Sequence, residues 1–359
     1  MSTSAKTTGT DHELGDDCSA VAYSWAKRTF DVRDGLPGHP LPAPVAPFSS
    51  MLDIFGQRLA ITSDGVGTKV EIAERMQRFD TLGHDLVAMV VDDLAANAVE
   101  PVALTNTLDV DILDRSVVDP LMHGLHDAAR LSKIAVVGGE IAELGPRISG
   151  YGEGMHFNWC ATAVGIVRPE FGFVDGSKVE VGDGIITVHS EGLRSNGFSL
   201  ARKILGVKLG EQWHNEHFEG KRWGDWLLTP CRIYAPAITS LQHAGVDLHG
   251  LAHITGGGLP SKFGRTLKAT GVGAQLDTLF PAEPFLETLC TWGDVTMDEA
   301  YRQWNMSNGF VVVVPEDAIH RTITLLLAAG HRAQLAGHIT KEPVIRIRTD
   351  HETLDYPLL

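Results

Sequence analysis

Residues 59–111, LAITSDGVGTKVEIAERMQRFDTLGHDLVAMVVDDLAANAVEPVALTNTLDVD, decide the fold because they join apolar runs to ligand-type polar residues. The run Leu59 to Thr62 is short and rich in branched residues, as in a buried strand. It leads into residues 64–69, DGVGTK, which hold a carboxylate, two glycines, a hydroxyl and a lysine. This set suits a magnesium-bound polyphosphate, because the carboxylate can bind the metal while backbone donors and the lysine hold phosphates. The spacing differs from that of a P-loop.

Two further acidic clusters follow within the same stretch. The segment Asp85 to Val99 is predicted to be helical and carries Asp92 and Asp93, and the next apolar run ends at residues 109–111, Asp-Val-Asp. Acidic groups at the ends of three buried elements predict a single metal–phosphate site. The same residues also suit a glycine turn, a helix cap and a solvated acidic face, and the pattern alone leaves both interpretations open.

The composition limits the class of protein. A chain of 359 residues is long for one hydrophobic core, so two domains are expected. The formal net charge of −15 argues against a nucleic-acid partner, which needs clustered Lys and Arg. Four cysteines without a C-x-x-C pair predict reduced thiols rather than a disulfide framework or a zinc site. The sequence has no long apolar run and no apolar leader, which predicts a cytoplasmic protein without a membrane partner.

Glycine-rich turns occur at three further places. Residues 138–140, Gly-Gly-Glu, follow an apolar strand-like run and permit close backbone approach beside a carboxylate. Residues 195–197, Ser-Asn-Gly, form a predicted tight turn at the start of a helix, where backbone N–H groups can bind an anion. Residues 255–258, Thr-Gly-Gly-Gly, precede Lys262 and Arg265 and form a second candidate phosphate cradle, with a flexible loop as the alternative.

Six motifs together resemble one known family. They are SDGVGTK (63–69), DTLGHDLVAMVVDDL (80–94), VGGEIAE (137–143), RSNGFSLARKIL (194–205), LLTPCRIY (227–234) and GLAHITGGG (250–258). In this order, over roughly residues 12–340, they are similar to phosphoribosylaminoimidazole (AIR) synthetases, also called phosphoribosylformylglycinamidine cyclo-ligases. The first four motifs are shared with a superfamily that includes thiamine-monophosphate kinase, selenophosphate synthetase and the hydrogenase-maturation dehydratase. The last two motifs point to the cyclo-ligases.

The resemblance implies an α/β (α+β) fold of two domains, known as the AIR synthase-like fold. Residues 12–170 would form an N-terminal domain that binds ATP and Mg2+ and forms a homodimer, with the sheets of two subunits pairing in a barrel. Residues 178–350 would form a C-terminal α/β sandwich domain on the substrate side. Residues 1–11 are polar and small, and they are predicted to be a disordered tail.

The resemblance also implies roles for individual residues. Three residues are expected to be catalytic: Lys69, Asp93 and His253. Mg2+ is expected at Asp64, Asp93 and Glu140. ATP is expected at Asp64, Gly65, Gly67, Thr68, Lys69, Gly138 and Gly139. The nucleotide substrate is expected at Ser195, Asn196, Gly197, Thr255, Gly256, Gly257 and Gly258.

The implied reaction is the ATP-dependent cyclisation of formylglycinamidine ribonucleotide to aminoimidazole ribonucleotide in purine biosynthesis, which makes the protein a C–N bond-forming ligase. ATP would phosphorylate the formyl amide oxygen, and the ribosyl-bearing nitrogen would then displace phosphate. Catalysis of phosphoryl transfer depends mostly on positioning and charge neutralisation, which matches carboxylates, glycines and a lysine. Two alternatives stay open. One is another kinase or synthetase of the superfamily, similar to thiamine-monophosphate kinase or selenophosphate synthetase. The other is a non-catalytic nucleotide-binding paralogue.

Four places depart from the family pattern. Residues 46–50, Ala-Pro-Phe-Ser-Ser, stand where the family usually has a glycine-rich loop. Asp92 replaces an asparagine, residues 193–194, Leu-Arg, replace Pro-His, and residues 307–309, Ser-Asn-Gly, replace Gly-Val-Gly. All of these places are expected to lie near ligands, so they bear on the identity of the substrate more than on the fold.

Overall fold

The N-terminal half of the protein, seen in a computed structural model, is built on a six-stranded sheet. The structure describes residues 12–41 and 48–358, so the tail predicted for residues 1–11 and part of the loop 46–50 lie outside the described residues. The strands of this sheet are β1 His39–Leu41, β2 Ser50–Ile54, β3 Gln57–Gly65, β4 Glu100–Val110, β5 Ala135–Glu143 and β6 Phe157–Ile166. They lie in the order β1-β2-β3-β6-β4-β5, which makes β5 an edge strand.

Eleven helices accompany the sheets in the described part of the chain. They are α1 His12–Lys27, α2 Val70–Met76, α3 Leu82–Ala95, α4 Arg115–Ser132, α5 Phe198–Leu209, α6 Trp223–Leu227, α7 Ala235–His243, α8 Gly258–Leu267, α9 Pro284–Gly293, α10 Met297–Gln303 and α11 Ile319–Ala328. None of these helices combines the length and the apolar content that a membrane crossing requires. The cytoplasmic location stays a prediction from the sequence.

Helix α3 fixes the packing of the first sheet. Nearly all of its residues are buried and most are apolar, and it lies against β3, β4 and β6 with α4 beside it. Strand β6 alternates buried with more exposed residues, so the sheet has one covered face and one open face. Helix α3 also contacts α7 and β10 (Gly250–His253) of the second half. Its last turn, which carries Asp92 and Asp93, therefore lies between the two halves.

The C-terminal half is built on a seven-stranded sheet. Its strands are β7 Gly184–His189, β10, β11 Gly273–Leu276, β12 Asn308–Val314, β13 Ala333–Thr340, β14 Val344–Arg348 and β15 Thr353–Pro357, in the order β10-β12-β7-β13-β11-β14-β15. β7 and β12 are buried at every position and are mostly apolar, as expected for central strands covered on both faces. A short hairpin, β8 His217–Phe218 and β9 Lys221–Arg222, lies outside this sheet.

The architecture has the predicted mixture of helices and two sheets, with one local correction. The strands of the two sheets come from residues 39–166 and 184–357, and the separate roles assigned to residues 12–170 and 178–350 stay a prediction. Residues 138–140 were expected to follow a strand, but they lie inside β5. The glycines do not end this strand because β4 continues beside it and pairs with it as far as Glu143.

Candidate active site

Three predicted ligand loops meet at the C-terminal end of α3: the loop after β3, the turn before α5 and the glycine loop before α8. A Cβ atom added at Gly67, in the first loop, would lie 3.5 Å from the carbonyl oxygen of Ser195 in the second. A Cβ atom added at Gly256, in the third loop, would lie 2.9 Å from Oδ1 of Asn196. Segments predicted for the nucleotide and for the substrate therefore line one site.

Asp64 and Asp93 form the acidic centre of this site. Burial, together with the charge of Asp93, raises the pKa of Asp64 to about 6, although the backbone N–H of Gly65 donates a hydrogen bond to its Oδ1 at 2.7 Å. Burial also raises the pKa of Asp93 to about 7, against the opposing effect of nearby basic groups, Lys262 above all. Lys262 acts on Asp64 as well. The two partly buried carboxylates therefore favour an additional bound cation.

The position of Asp93 in α3 strengthens the preference of Asp64 and Asp93 for a bound cation. The C-terminal end of a helix carries partial negative charge, so a carboxylate in the last turn is destabilised there. The last turn of α3 contains no basic residue that could offset this effect. The neighbouring Asp92 is fully buried and is paired with Arg194 at 2.9 Å, whereas 19% of the Asp93 side chain is exposed. Of the neighbouring residues Asp92 and Asp93, only Asp93 thus has a carboxylate that can reach a ligand.

His253 contacts Asp93 from the protein interior. Its side chain is completely buried, with Nδ1 at 2.8 Å from Oδ1 of Asp93 and Nε2 at 2.7 Å from Nη2 of Arg194. A guanidinium can only donate, so Nε2 accepts and the ring proton resides on Nδ1, which donates to Asp93. Burial and the charge of Arg194 lower the pKa of His253 well below its ordinary value. The geometry supports a contact that positions Asp93, and the catalytic role of His253 stays a prediction.

Lys69 was expected at the phosphates, but it lies in the interior. Its side chain has no exposed surface, and its Nζ lies 2.7 Å from Oδ1 of Asp85 on α3. Nζ also donates to the carbonyl oxygen of Thr229 in the C-terminal half at 2.5 Å. Only the preceding Gly67 and Thr68 are exposed at the site. A buried carboxylate and a partly buried carbonyl bind this ammonium group within the chain, and the catalytic and ATP-binding roles of Lys69 stay predictions.

Glu140 does not join Asp64 and Asp93 within one chain. The pairing register runs from Asp64 across β6 and β4 to Gly139 on β5. Three strand spacings of about 4.8 Å therefore place β5 about 14 Å from β3. A single Mg2+, with oxygen ligands at about 2.1 Å, cannot bridge that distance. The predicted set of three carboxylates is wrong for one chain, and Gly138 and Gly139 lie away from the loops as well.

The remaining predicted glycines shape the starts of two helices. Gly197 (φ 77°) precedes α5 and Gly257 (φ 87°) precedes α8, and both adopt the left-handed conformation that glycine favours. A side chain at Gly258 would collide with the carbonyl oxygen of Tyr301. Thr255 is partly exposed just before them. The first backbone N–H groups of α5 and α8 have no partner within their helices, so these starts can bind anions.

Both halves of the chain match one protein family. Residues 49–167 match the N-terminal domain of AIR synthase related protein, and residues 180–350 match its C-terminal domain. The phosphoribosylformylglycinamidine cyclo-ligase of Thermococcus kodakarensis is 38% identical over 339 residues, which cover 94% of this chain and 96% of the relative. The chain belongs to the phosphoribosylformylglycinamidine cyclo-ligase family. The Methanosarcina barkeri member is 40% identical over 288 residues, covering 79% of this chain and 81% of the relative.

Solved structures share the fold of this cyclo-ligase family member. A HypE–HypF complex has a TM-score of 0.65 and 17% identity, covering 87% of this chain and 93% of the other. HypE in complex with ATP has a TM-score of 0.63 and 15% identity, covering 88% and 90%. ThiL complexed with AMPPCP and TMP has a TM-score of 0.58 and 17% identity, covering 88% and 92%. The predicted family and the AIR synthase-like fold are confirmed.

Two basic residues of this family member have a place in the site that the motifs did not assign. Lys262 is noted in the sequence only as a residue after the glycines, and Arg194 only as a departure from the family pattern. Lys262 lies about one turn into α8, and helical side chains tilt toward the N-terminal end, where the glycine loop lies. That spacing could have identified Lys262. The sequence contains no comparable signal for Arg194, because its partners are distant in the chain.

Proposed function

We propose that the protein uses ATP to convert formylglycinamidine ribonucleotide into aminoimidazole ribonucleotide. Membership of the cyclo-ligase family makes it an ATP-dependent ligase that forms a C–N bond in purine biosynthesis. The observation that carries the proposed site is the meeting of Asp64, Asp93 and Lys262 with glycine loops from both halves. Phosphoryl transfer needs charged and backbone groups held around the reacting phosphate in this way.

The proposed reaction has two steps. In the first, the oxygen of the formyl amide attacks the γ-phosphorus of ATP, and ADP leaves. In the second, the ribosyl-bearing nitrogen attacks the activated carbon, a C–N bond forms, and the C–O bond to phosphate breaks. Phosphate and a proton are released as the ring closes. ATP is needed because an amide oxygen is a poor leaving group and phosphate is a good one.

The chain's own groups would position both substrates. The starts of α5 and α8 offer backbone N–H donors to phosphate oxygens, and Lys262 adds a positive charge beside the acidic pair. The loop at Gly67 lies next to Ser195, so the two ligands can be held side by side. Because the reacting groups are held together, the transfer becomes effectively unimolecular.

The acidic pair fits a hard divalent cation such as Mg2+. Asp64 and Asp93 offer carboxylate oxygens, and their raised pKa values show that Lys262 does not fully offset the cost of burying two negative charges. We assign these two residues to the metal, which when bound neutralises charge on the phosphate oxygens. Within the chain, Gly65 holds Asp64 through its backbone N–H, and His253 holds Asp93 through Nδ1.

A homodimer through the edge strand β5 is part of the proposal. Val136, Val137 and Ile141 on this strand are 41%, 69% and 43% exposed. A long edge strand with exposed apolar residues is a template for pairing with another strand. Pairing β5 with a second copy would cover these side chains, and it would place Glu140 at the interface.

Light scattering at micromolar concentration tests the dimer. Val137→Lys is expected to yield monomers, because it places a charge in the paired edge. Val207→Lys on α5 is the matched control, since Val207 is also 69% exposed, and this variant should stay dimeric. A monomeric unmodified protein, or a dimer unaffected by Val137→Lys, would contradict the proposed interface.

The reaction is tested by measuring ATP turnover in separate assays with formylglycinamidine ribonucleotide, thiamine monophosphate and selenide. The proposal expects ADP, phosphate and aminoimidazole ribonucleotide with the first substrate alone. ADP formed with thiamine monophosphate or selenide would support a kinase or synthetase instead. Tight Mg-ATP binding without turnover of any of the three would support a nucleotide-binding paralogue.

A further inference from the structure

Two of the departures from the family pattern contact each other. Oδ2 of Asp92 lies 2.9 Å from Nη2 of Arg194, although the two residues are 102 positions apart. Both side chains are completely buried. A buried charge without a partner is strongly destabilising, so either replacement alone would leave one such charge in the interior. The two replacements are therefore physically coupled in this protein.

Both oxygens of the Asp92 carboxylate accept hydrogen bonds. Its Oδ1 accepts hydrogen bonds from the backbone N–H groups of Tyr234 at 2.7 Å and Ala235 at 2.9 Å, at the start of α7. Its Oδ2 accepts from Arg194. A helix start and a guanidinium both favour negative charge. Asp92 thus anchors α7 and the turn before α5 to the end of α3.

The guanidinium of Arg194 links Asp92 to His253 through hydrogen bonds. Nη1 donates to the carbonyl oxygen of Arg232 at 2.9 Å, and Nη2 donates to Asp92 and to Nε2 of His253, the latter at 2.7 Å. Because an arginine side chain can only donate, the direction of each of these hydrogen bonds is determined. Nε2 of His253 accepts, so Nδ1 carries the proton and donates to Oδ1 of Asp93 at 2.8 Å.

The asparagine and histidine of the family pattern would not impose this direction. An asparagine at position 92 can still accept bonds from α7, but its amide group donates where the carboxylate accepts. A neutral histidine at position 194 has one donor and one acceptor nitrogen, and either tautomer is available. The carboxylate of Asp93 would still accept from Nδ1, but a histidine at position 194 could present either a donor or an acceptor to Nε2. Only the arginine always donates to Nε2, so it excludes the other tautomer and holds the ring from that side.

We propose that Asp92 and Arg194 act as a positioning pair that holds the ring of His253 through Nε2, with its proton on Nδ1, and thereby orients the carboxylate of Asp93 in the metal–phosphate site. The inference rests on the proposed function only in assigning Asp93 to that site. Residues that hold a metal-binding group from behind control its orientation, and replacing them commonly weakens metal binding or activity by about 10–100-fold.

The test compares Arg194→His, Asp92→Asn and the double variant that carries both changes. Calorimetry measures Mg-ATP affinity, and 15N NMR of the His253 ring reports which nitrogen carries the proton. Each single variant should weaken Mg-ATP binding about 10–100-fold and alter the His253 signals. The double variant should lose less affinity than the two single losses combined, because its side chains are again neutral partners. Strictly additive losses would overturn the coupling.

Arg194→Lys tests the same point if a single variant fails to fold. A lysine retains the charge beside Asp92 but lacks the planar fork that also reaches Arg232 and His253. Mg-ATP binding should weaken and the His253 signals should change. The control is Arg222→Lys in a partly exposed pair with Asp225 at 2.8 Å, which should alter neither measurement. Wild-type affinity together with an unchanged His253 tautomer in Arg194→Lys would overturn the proposal.

These measurements are independent of the proposed reaction. If the unmodified protein fails to form aminoimidazole ribonucleotide, the proposed substrate is wrong, but the NMR signals and the Mg-ATP affinities of the variants still decide the role of the pair. If the protein is active and Arg194→His retains both the Mg-ATP affinity and the Nδ1-protonated ring, the positioning role is wrong while the proposed function stands.

Discussion

The interior around Lys69 and the open site around Lys262 both place a lysine beside carboxylates, with opposite consequences. Lys69 and Asp85 have no exposed side-chain surface, and their 2.7 Å contact is closed off by protein on all sides. Lys262 is partly exposed and lies near Asp64 and Asp93, whose pKa values remain raised to about 6 and 7. The charges of Lys69 and Asp85 balance each other, whereas the site of Lys262, Asp64 and Asp93 still favours an added cation.

This difference concerns how fully the charges around each lysine are balanced by protein groups. Lys69 belongs to the motif that most resembles a phosphate loop, yet its ammonium group joins α3 to the segment at Thr229. Lys262 follows a plain glycine run, yet it lies at the acidic pair. The two sites differ in their exposure to solvent and in whether the carboxylates beside the lysine keep raised pKa values. Each of the following predictions tests one side of this contrast.

The largest effect is expected for Lys69→Met. Removing the ammonium group leaves Asp85 as an unpaired buried charge, so the free energy of unfolding should fall by about 3–5 kcal/mol, measured by urea denaturation. The double variant Lys69→Met/Asp85→Asn should recover part of the loss, because the amide still accepts from the backbone N–H of Cys231. Unchanged stability with lost turnover would instead place Lys69 among the catalytic groups.

Lys262→Ala should reduce turnover much more than stability. The turnover number should fall about 10²–10³-fold, as when a donor to developing charge is removed. The free energy of unfolding should fall by only about 1 kcal/mol, since the residue is partly exposed although its charge opposes those of Asp64 and Asp93. Lys268→Ala, at the exposed opposite end of α8, is the matched control and should affect neither quantity. Equal losses of activity in both variants would remove the special role of Lys262.

Asp64→Asn should stabilise the metal-free protein. The substitution removes one of two neighbouring buried charges, so the free energy of unfolding in EDTA at pH 8 should rise by about 1–2 kcal/mol. Mg-ATP affinity should fall in the same variant, because a metal ligand loses its charge. A destabilised Asp64→Asn protein with normal Mg-ATP affinity would show that Asp64 is a structural residue.

The smallest effect concerns His331, a partly buried residue beside Tyr234. Burial, with the charges of Arg232 and Arg194, lowers the pKa of His331 to about 4. The unfolded chain therefore binds a proton that the folded chain does not between pH 6.5 and about 4, and stability falls as the pH falls through this window. His331→Phe removes that titration and should retain about 1 kcal/mol at pH 5 relative to the unmodified protein.

Urea denaturation at pH 7.5 and pH 5 measures the His331 effect, and the difference between the two proteins isolates it from other titrating groups. The aromatic replacement keeps a ring against Tyr234, whose centroid lies 5.4 Å from that of His331. Parallel loss of stability in both proteins would show that His331 is accessible to protons in the folded state.

The sequence by itself determined the elements and the family. The apolar runs became β3, β7 and β12, the helix with Asp92 and Asp93 became α3, and the Ser-Asn-Gly turn and the glycine run precede α5 and α8. These outcomes depend on residues close together in the chain: strand composition, a turn, and a glycine with positive φ before a helix. Such local preferences can be read directly, and the six motifs identified the family in the same way.

Only the tertiary structure decided which charged groups meet. Lys69 contacts a carbonyl 160 positions away, and Asp92 meets Arg194 across 102 positions. Glu140 is separated from Asp64 because two strands lie between β3 and β5. A motif supplies a charged side chain but not its partner, because partners are brought together by strand order and by helix packing. In a buried junction, the nearest opposite charge determines whether a residue binds a ligand or holds the protein together.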